Sequence, residues 1–413
     1  MWNALRSRGF LWLWIGQMFS QLGNAVFLIM GLWEIQLHSP LLLSLAGMGM
    51  SVPSILAMAG GVFVDRYHPG KLMLGTDALR GIAVMAGLGT IWVKPQWDIW
   101  VIITILTINA LGGSLFGPAE MVVLPRLVPG QELGSANGLN AITNQLSMAV
   151  GSAIGGAAIA LIGMKVIFAF DMVSFWVSAI AILLMFPHMS VVSAAKALPD
   201  ESVSGLGFWP SLKDGWTGLQ SMPWFMALLL PVVLTNFAFN GAFTMFPYWM
   251  HHVLHAGPLV YGVVDAAWSA GLVLGSLVTG MVQPRSLRVT LGYLGIAMSV
   301  CMLGFVFAHQ NLLAGVTLFA AGIANGMTNA LFITFIQRMI PQHLMGRVMG
   351  IIITLFGLAT PLGALAAGAT LHLLPLSWMW LLSAGAEMAL VYVIFTKAPD
   401  DPGTPRGMEP ASV

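Results

Sequence analysis

The chain has 413 residues, 58% hydrophobic and 8% charged, with 16 Lys and Arg against 15 Asp and Glu and a mean hydropathy of +0.87. Soluble domains carry about 25% charged residues, so a chain this apolar lacks the polar surface to cover a globule in water and takes lipid as its main solvent. A single Cys excludes a disulfide framework and a multi-cysteine metal or iron–sulfur site, and a net charge of +1 excludes nucleic-acid binding by phosphate neutralisation.

A membrane-spanning helix needs about 20 predominantly apolar residues. Runs of that kind, bounded by charges, Pro or Gly-rich turns, fall in chain order at 10–33, 41–64, 72–93, 99–124, 133–161, 166–187, 223–249, 258–281, 289–308, 312–337, 347–370 and 377–396. The first is too long, and lacks the cleavage site and polar continuation, for a removed signal peptide, so it is expected to stay as span 1. Basic residues collect in cytoplasmic loops. With the N-terminus inside, Arg6, Arg8, Arg66, Lys71, Arg80, Arg126, Lys196, Lys213, Arg285, Arg288, Arg338, Arg347, Lys397 and Arg406 fall on the cytoplasmic side and only Lys94 and Lys165 outside. A missed span would invert everything downstream of it, so the expectation is twelve helices in a bacterial cytoplasmic membrane with both termini cytoplasmic.

The longest polar stretch, around 188–221, contains Pro199, Asp200, Glu201 and Lys213 and divides the spans six and six. The expected organisation is a six-helix bundle over 1–190, a cytoplasmic linker over 191–221, a second bundle over 222–397 and a tail over 398–413. An ungapped repeat at an offset of 212 residues relates the halves: Arg126, Pro129, Gly134, Gly138, Gly151 and Gly156 map onto Arg338, Pro341, Gly346, Gly350, Gly363 and Gly368.

Between spans 2 and 3 the sequence runs Gly61-Val-Phe-Val-Asp65-Arg66-Tyr-His-Pro-Gly70-Lys71, and span 5 contains Gly151-Ser152-Ala-Ile-Gly155-Gly156. The first resembles the loop signature of the major facilitator superfamily, and the second its antiporter signature Gly-Pro-x-x-Gly-Gly with Ser152 in place of Pro. Leu13 to Asn24 in span 1 and Phe170-Asp171-Met-Val-Ser174-Phe175 in span 6 resemble the drug:proton antiporter-3 branch, which holds macrolide-efflux and enterobactin-exporter proteins. The resemblance implies two pseudo-symmetric six-helix bundles that rock about a midplane site, export of small molecules and proton coupling. Three positions depart from the branch: Asn24 stands where an acid is typical, Pro69-Gly70-Lys71 where the loop is Arg-rich, and Arg126 where an acid is frequent.

Gly61, Asp65, Arg66 and Lys71 are expected to form a gating latch at the cytoplasmic mouth. An acid there can accept from the unpaired N–H groups at the start of span 11, near Gly346. The small residues Gly151, Gly155 and Gly156 allow close helix approach, and with Gly271 and Gly275 of span 8 they are expected to form the sliding contact between halves.

Polar residues inside lipid are costly unless they face a cavity or a partner. Gln17, Gln21 and Asn24 share one face of span 1 with Ser20 nearby, and Asn140, Asn144, Ser147 and Gly151 share one face of span 5. Asn236 and Asn240 lie in span 7 with Phe237, Phe239 and Phe243. The repeat turns Asn140 and Asn144 into Ile352 and Phe356, so the expected cavity has amides on the N-terminal side and apolar groups on the C-terminal side. An amphipathic organic molecule suits it better than an ion or a sugar. A carboxyl at a helix centre costs about 2.5–3.5 kcal/mol on insertion scales, which singles out Glu34, Glu120, Asp171, Asp265 and Glu387. Asp265, Glu34 and Glu120 are the proton-coupling candidates; Asp171 reads as stabilising span 6, and Glu387 as lying on a peripheral helix.

His251 and His255 could share a helical face and bind a metal, although no acid completes an HExxH pattern. The 28 Met are spread over many spans and read as packing. No phosphate-binding loop or nucleophile elbow is present, so no enzyme activity and no cofactor are expected, and one chain suffices as a monomer. Two alternatives stay open: a carrier of a metal or a metal chelate such as a siderophore, and a membrane-embedded receptor or enzyme on the same fold.

Overall fold

A computed structural model describes residues 2–189, 219–220, 222–281, 286–340, 342–371 and 373–398; within these, the side chains of 2–3, 54–66, 337–338, 342–347, 349–350 and 353 lie outside the described set. Most of the expected linker, residues 399–413, His372, the side chains of Asp65 and Arg66 and the surroundings of Gly61 and Gly346 are therefore not described.

The helices are α1 Arg8–His38, α2 Pro40–Arg66, α3 Pro69–Val93, α4 Asp98–Val123, α5 Leu133–Leu161, α6 Met164–Met185, α7 Pro223–Thr244, α8 Phe246–His252, α9 Pro258–Met281, α10 Leu287–Val306, α11 Asn311–Met339, α12 Gln342–Thr370 and α13 Ser377–Lys397. Ten of the described helical segments are long and apolar enough to cross a membrane, and α2 and α12 carry the shorter apolar stretches Pro40–Pro53 and Thr354–Thr370. Local chemistry sets the boundaries. The Ser7 hydroxyl accepts from the Phe10 N–H at the start of α1, and Ser286 does the same from Val289 at the start of α10. Gly163, at φ 79°, allows the chain to reverse between α5 and α6.

Span 7, expected as one run over 223–249, is two helices. Pro247 has no N–H and would clash with the carbonyl four residues earlier, so α7 stops at Thr244 and α8 begins one residue beyond Met245.

In the N-terminal half α1 packs on α5 and α6, α2 on α4, and α3 on α4 and α6. In the C-terminal half α7 packs on α12 and α13, α9 on α11, and α10 on α11 and α13. With α7 and α8 counted as one span, these pairings are the same list shifted by six spans. The halves meet where α5 crosses α9 and α2 crosses α12, which are again equivalent contacts.

Let the end where α1 begins be proximal and the other distal. One apolar core runs through both halves distally, joining Phe27, Trp33 and Ala46 to Phe246, Tyr261 and Trp268. The proximal cores are separate. Phe10, Met73, Phe116 and Ile182 belong to one within the N-terminal half, while Leu228, Leu291, Phe225 and Ile351 belong to two within the C-terminal half. Among the described residues the two halves are thus joined distally and share no apolar core proximally.

Candidate functional site

Two crossings make the distal seam. On one, Gly156 of α5 meets Gly262 and the Pro258 carbonyl of α9, and Gly262 in turn meets the Ser152 carbonyl, so backbone lies on backbone. Beside this contact the Ser152 hydroxyl donates to Oδ2 of Asp265 at 2.6 Å, with both residues buried. On the other crossing Gly368 of α12 lies on Ser44 and Pro40 of α2, and Gly47 lies on Thr244 and Ala364. Between the crossings Trp33 stacks on Tyr261, with ring centroids 5.6 Å apart, and meets His251 edge-on at 5.5 Å.

The repeated glycines have equivalent tasks in both halves. Gly151 packs on Ala25 of α1 and its counterpart Gly363 on Phe237 of α7, within their own bundles; Gly156 and Gly368 face the opposite half. The expected sliding contact is corrected accordingly. Gly155 packs on Val26 and Ile29 of α1, and Gly271 and Gly275 pack on the α11 backbone at Phe319 and Ile323. Only Gly156 of the antiporter-like glycines touches the other half, because successive glycines at this spacing point around the helix toward different neighbours.

A cavity of about 170 Å³ opens in the C-terminal half, lined by Thr235, Asn236 and Phe239 of α7, Met298 of α10, Asn325, Thr328, Asn329 and Phe332 of α11, Phe356 of α12 and Glu387 of α13. It holds one acid, several amides and hydroxyls, three aromatic rings and no basic group. The expected division into an amide side and an apolar side fails here: Asn325, Thr328 and Asn329 make the C-terminal side polar, and Glu387 lines the cavity instead of lying at the periphery. The signal was the i, i+4 pair of Asn in span 10. Asn236 lines the cavity, whereas the Asn240 amide donates to the Asn236 carbonyl at 2.8 Å one turn further on. Phe243, expected in the cavity, packs instead with Phe239, Phe246 and Trp268 in the distal core, and Phe239 takes the lining position.

On the N-terminal side Gln17 is buried, and Gln21 has a buried Oε1 without a hydrogen-bond partner. Asn24 accepts from the Asn109 amide at 3.0 Å, and Asn140 donates to Glu120 Oε1 at 2.8 Å; Asn144 is exposed. Glu120 therefore sits in the last turn of α4, near the proximal mouth. Glu34 is half-buried at the distal end of α1, beside Asp98 and His38 and away from the cavity. Lys71 is exposed in the first turn of α3.

Arg80 is not a loop cation. It lies inside α3, 5% exposed, paired with Asp77 at 3.2 Å and donating to the Asn109 carbonyl at 2.8 Å. Asp77 also accepts from Ser178 at 2.6 Å, and Asp171 is buried in the same interior. Counting charges along the sequence placed Arg80 at the surface because it lies only about two and a half turns from Lys71; an i, i+3 acid–base pair was the signal missed. His251 contacts Trp33, His255 is exposed, and no group of three potential metal ligands forms among the described residues.

The sequence profile described as the Major Facilitator Superfamily matches residues 13–364. The chain belongs to that superfamily. An uncharacterized MFS-type transporter, YfiS, of Bacillus subtilis is 27% identical over 370 residues, covering 87% of this chain and 86% of its own. Macrolide efflux protein A of Enterococcus faecalis is 24% identical over 339 residues, covering 79% of this chain and 99% of its own. The inward open conformation of the xylose transporter XylE from E. coli superimposes with a TM-score of 0.66 at 13% identity, over 96% of this chain and 97% of the other. The major facilitator fold and a multi-pass membrane location follow, as does secondary transport of small molecules.

Proposed function

We propose that this facilitator-superfamily protein exports amphipathic, amine-bearing small molecules from bacterial cytoplasm by alternating access, driven by inward proton movement. The cavity over Asn236, Asn325 and Glu387 carries the reading. Three rings offer an apolar and cation-binding surface, amides orient polar groups, and a carboxyl without a basic neighbour in the lining complements a protonated amine. Macrolide and multidrug efflux names among the relatives agree with this chemistry.

The proximal end is assigned to the cytoplasm. With Arg80 removed from the loop count, thirteen basic residues still fall on that side against Lys94 and Lys165 on the other. The joined distal seam and separate proximal cores then describe an inward-facing state. Asp265 is the seam's acid, so its bond to Ser152 must break when the outer gate opens. Asp65 and Arg66 at the proximal end of α2 close the cytoplasmic mouth in the opposite state. A single chain forms the whole pathway and functions as a monomer.

Purified protein in liposomes with an imposed pH gradient tests this directly, using ethidium, a macrolide and a siderophore. Accumulation of the first two that a protonophore abolishes is expected; transport confined to the siderophore, or independent of the gradient, overturns the reading.

A further inference from the structure

The interior of the N-terminal bundle holds a charge cluster that substrate binding does not use. Asp77 and Asp171 are both fully buried and Arg80 nearly so, giving two carboxyls for one guanidinium. The guanidinium lies in a notch made by Gly112 and Gly113 of α4, over the Phe175 ring, where a side chain on Gly112 would overlap Nε. It is committed to Asp77 and the Asn109 carbonyl. Its Nε, however, is buried without an acceptor, and neither carboxyl oxygen of Asp171 has a well-formed hydrogen bond, although the Asn109 amide and the Ser174 hydroxyl lie close to that carboxyl. A spare donor and two spare acceptors in one buried cluster are the unmet groups of an alternative pairing.

An uncompensated buried carboxylate costs several kcal/mol. In this arrangement Asp171 is therefore the group that is neutral, with its proton on the carboxyl, while Asp77 keeps Arg80. The covering element is α1: Gly23 lies on Ser174 and on Oδ1 of Asp171, and Asn24 accepts from Asn109, the residue whose carbonyl holds Arg80. The same helix contributes Trp33 to the distal seam. α1 therefore connects the distal seam both to the cover of Asp171 and to the hydrogen-bonded chain that fixes Arg80.

We propose that Asp171 is a proton-exchange site of the transporter, remote from the substrate cavity, with Arg80 alternating between Asp77 alone and a position shared with Asp171. In the cytoplasm-facing state the free Nε of Arg80 turns to Asp171, which gives its proton to proximal water and becomes a carboxylate sharing the guanidinium with Asp77; once the distal side opens, Asp171 takes up a proton from distal water and Arg80 returns to Asp77 alone, so one proton moves inward per cycle. The titratable groups facing the site are Asp77 and Arg80 of α3, with Glu120 of α4 acting on Asp77; α1 and α6 add no other among the described residues. The inference rests on the proton-driven reading of the preceding section.

The experiment uses full-length protein in liposomes with ethidium, measuring accumulation under a pH gradient and, separately, ethidium exchange at equal pH. Wild type that exchanges without responding to the gradient overturns proton coupling and this site with it. Given a wild-type response, Asp171→Asn is expected to keep exchange within twofold and to lose at least tenfold in accumulation. Asp171→Glu, which keeps a carboxyl but not the shape, is expected to retain driven accumulation. The reverse order, with the isosteric Asn active and Glu inactive, marks a packing role and overturns the proposal, as does undiminished accumulation in Asp171→Asn. If Asp171→Asn does not fold, driven accumulation by Asp171→Glu supports the site and its loss in folded Asp171→Glu refutes it.

Discussion

Gly156 is where the distal seam is most sensitive to a single methyl group. A Cβ at this position would lie 2.5 Å from the Pro258 carbonyl oxygen and 2.9 Å from the Gly262 Cα. Carbon atoms pack best at about 3.5–4.0 Å, and both obstacles are backbone, so α5 and α9 must separate by roughly 0.5–1 Å. Overpacking of this kind costs about 1–3 kcal/mol. Because the clash exists only while the halves are joined distally, the cost falls on that state alone and raises the distal-open population roughly 5- to 150-fold. The assay replaces the native Cys301 with Ser and places a reporter at Ser44→Cys, which is buried on the second crossing against Gly368. Labelling by a membrane-impermeant maleimide applied from the distal side should accelerate by that factor in Gly156→Ala. Gly75→Ala, in open space on α3, serves as the control and should leave the rate unchanged. A folded Gly156→Ala protein that labels within twofold of its parent would refute the reasoning, since the glycine contact would then not limit closure.

Gly112→Ala should push Arg80 off Asp77 and the Asn109 carbonyl; breaking a buried pair costs about 3–5 kcal/mol, so the melting temperature in detergent should fall clearly, whereas Gly117→Ala, with nothing within 4 Å, should not. Equal melting curves for the two would remove the notch argument. Glu387→Gln should weaken binding of ethidium about tenfold or more, the scale of a lost hydrogen bond to a charged group at roughly 1.5–3 kcal/mol. An uncharged amphiphile of similar size should bind as before, and equal losses for both ligands would argue against a charge role. Asp65→Asn should slow turnover while expression is maintained, read as transport rate per purified molecule; a normal rate would sink the cytoplasmic latch.

Much of the architecture was legible in one dimension because lipid imposes a simple rule: a backbone crossing it must satisfy its own hydrogen bonds in an apolar helix. The 212-residue repeat even identified pairs of positions with matching jobs, Gly151 with Gly363 and Gly156 with Gly368. The cavity was less legible. Asn236 was found because amides inside a span are rare, yet of the three neighbouring rings Phe243 was chosen for the lining where Phe239 takes it, since helical spacing says which residues share a face and not which neighbour that face meets. Arg80 shows a related gap. A cation two turns into a span looks like a loop residue until a buried acid, a carbonyl and two glycines are seen around it.

Composition and periodicity by themselves determined that this is a twelve-span membrane protein built from two related halves, because those properties depend on the solvent of each segment. Only the tertiary structure decided that the halves are joined at the distal end, that Glu387 faces the cavity, and that Ser152 bonds Asp265 across 113 residues of sequence. It also placed two buried acids around one guanidinium. Such contacts depend on the rotation and packing of helices distant in the chain, and no local pattern encodes them.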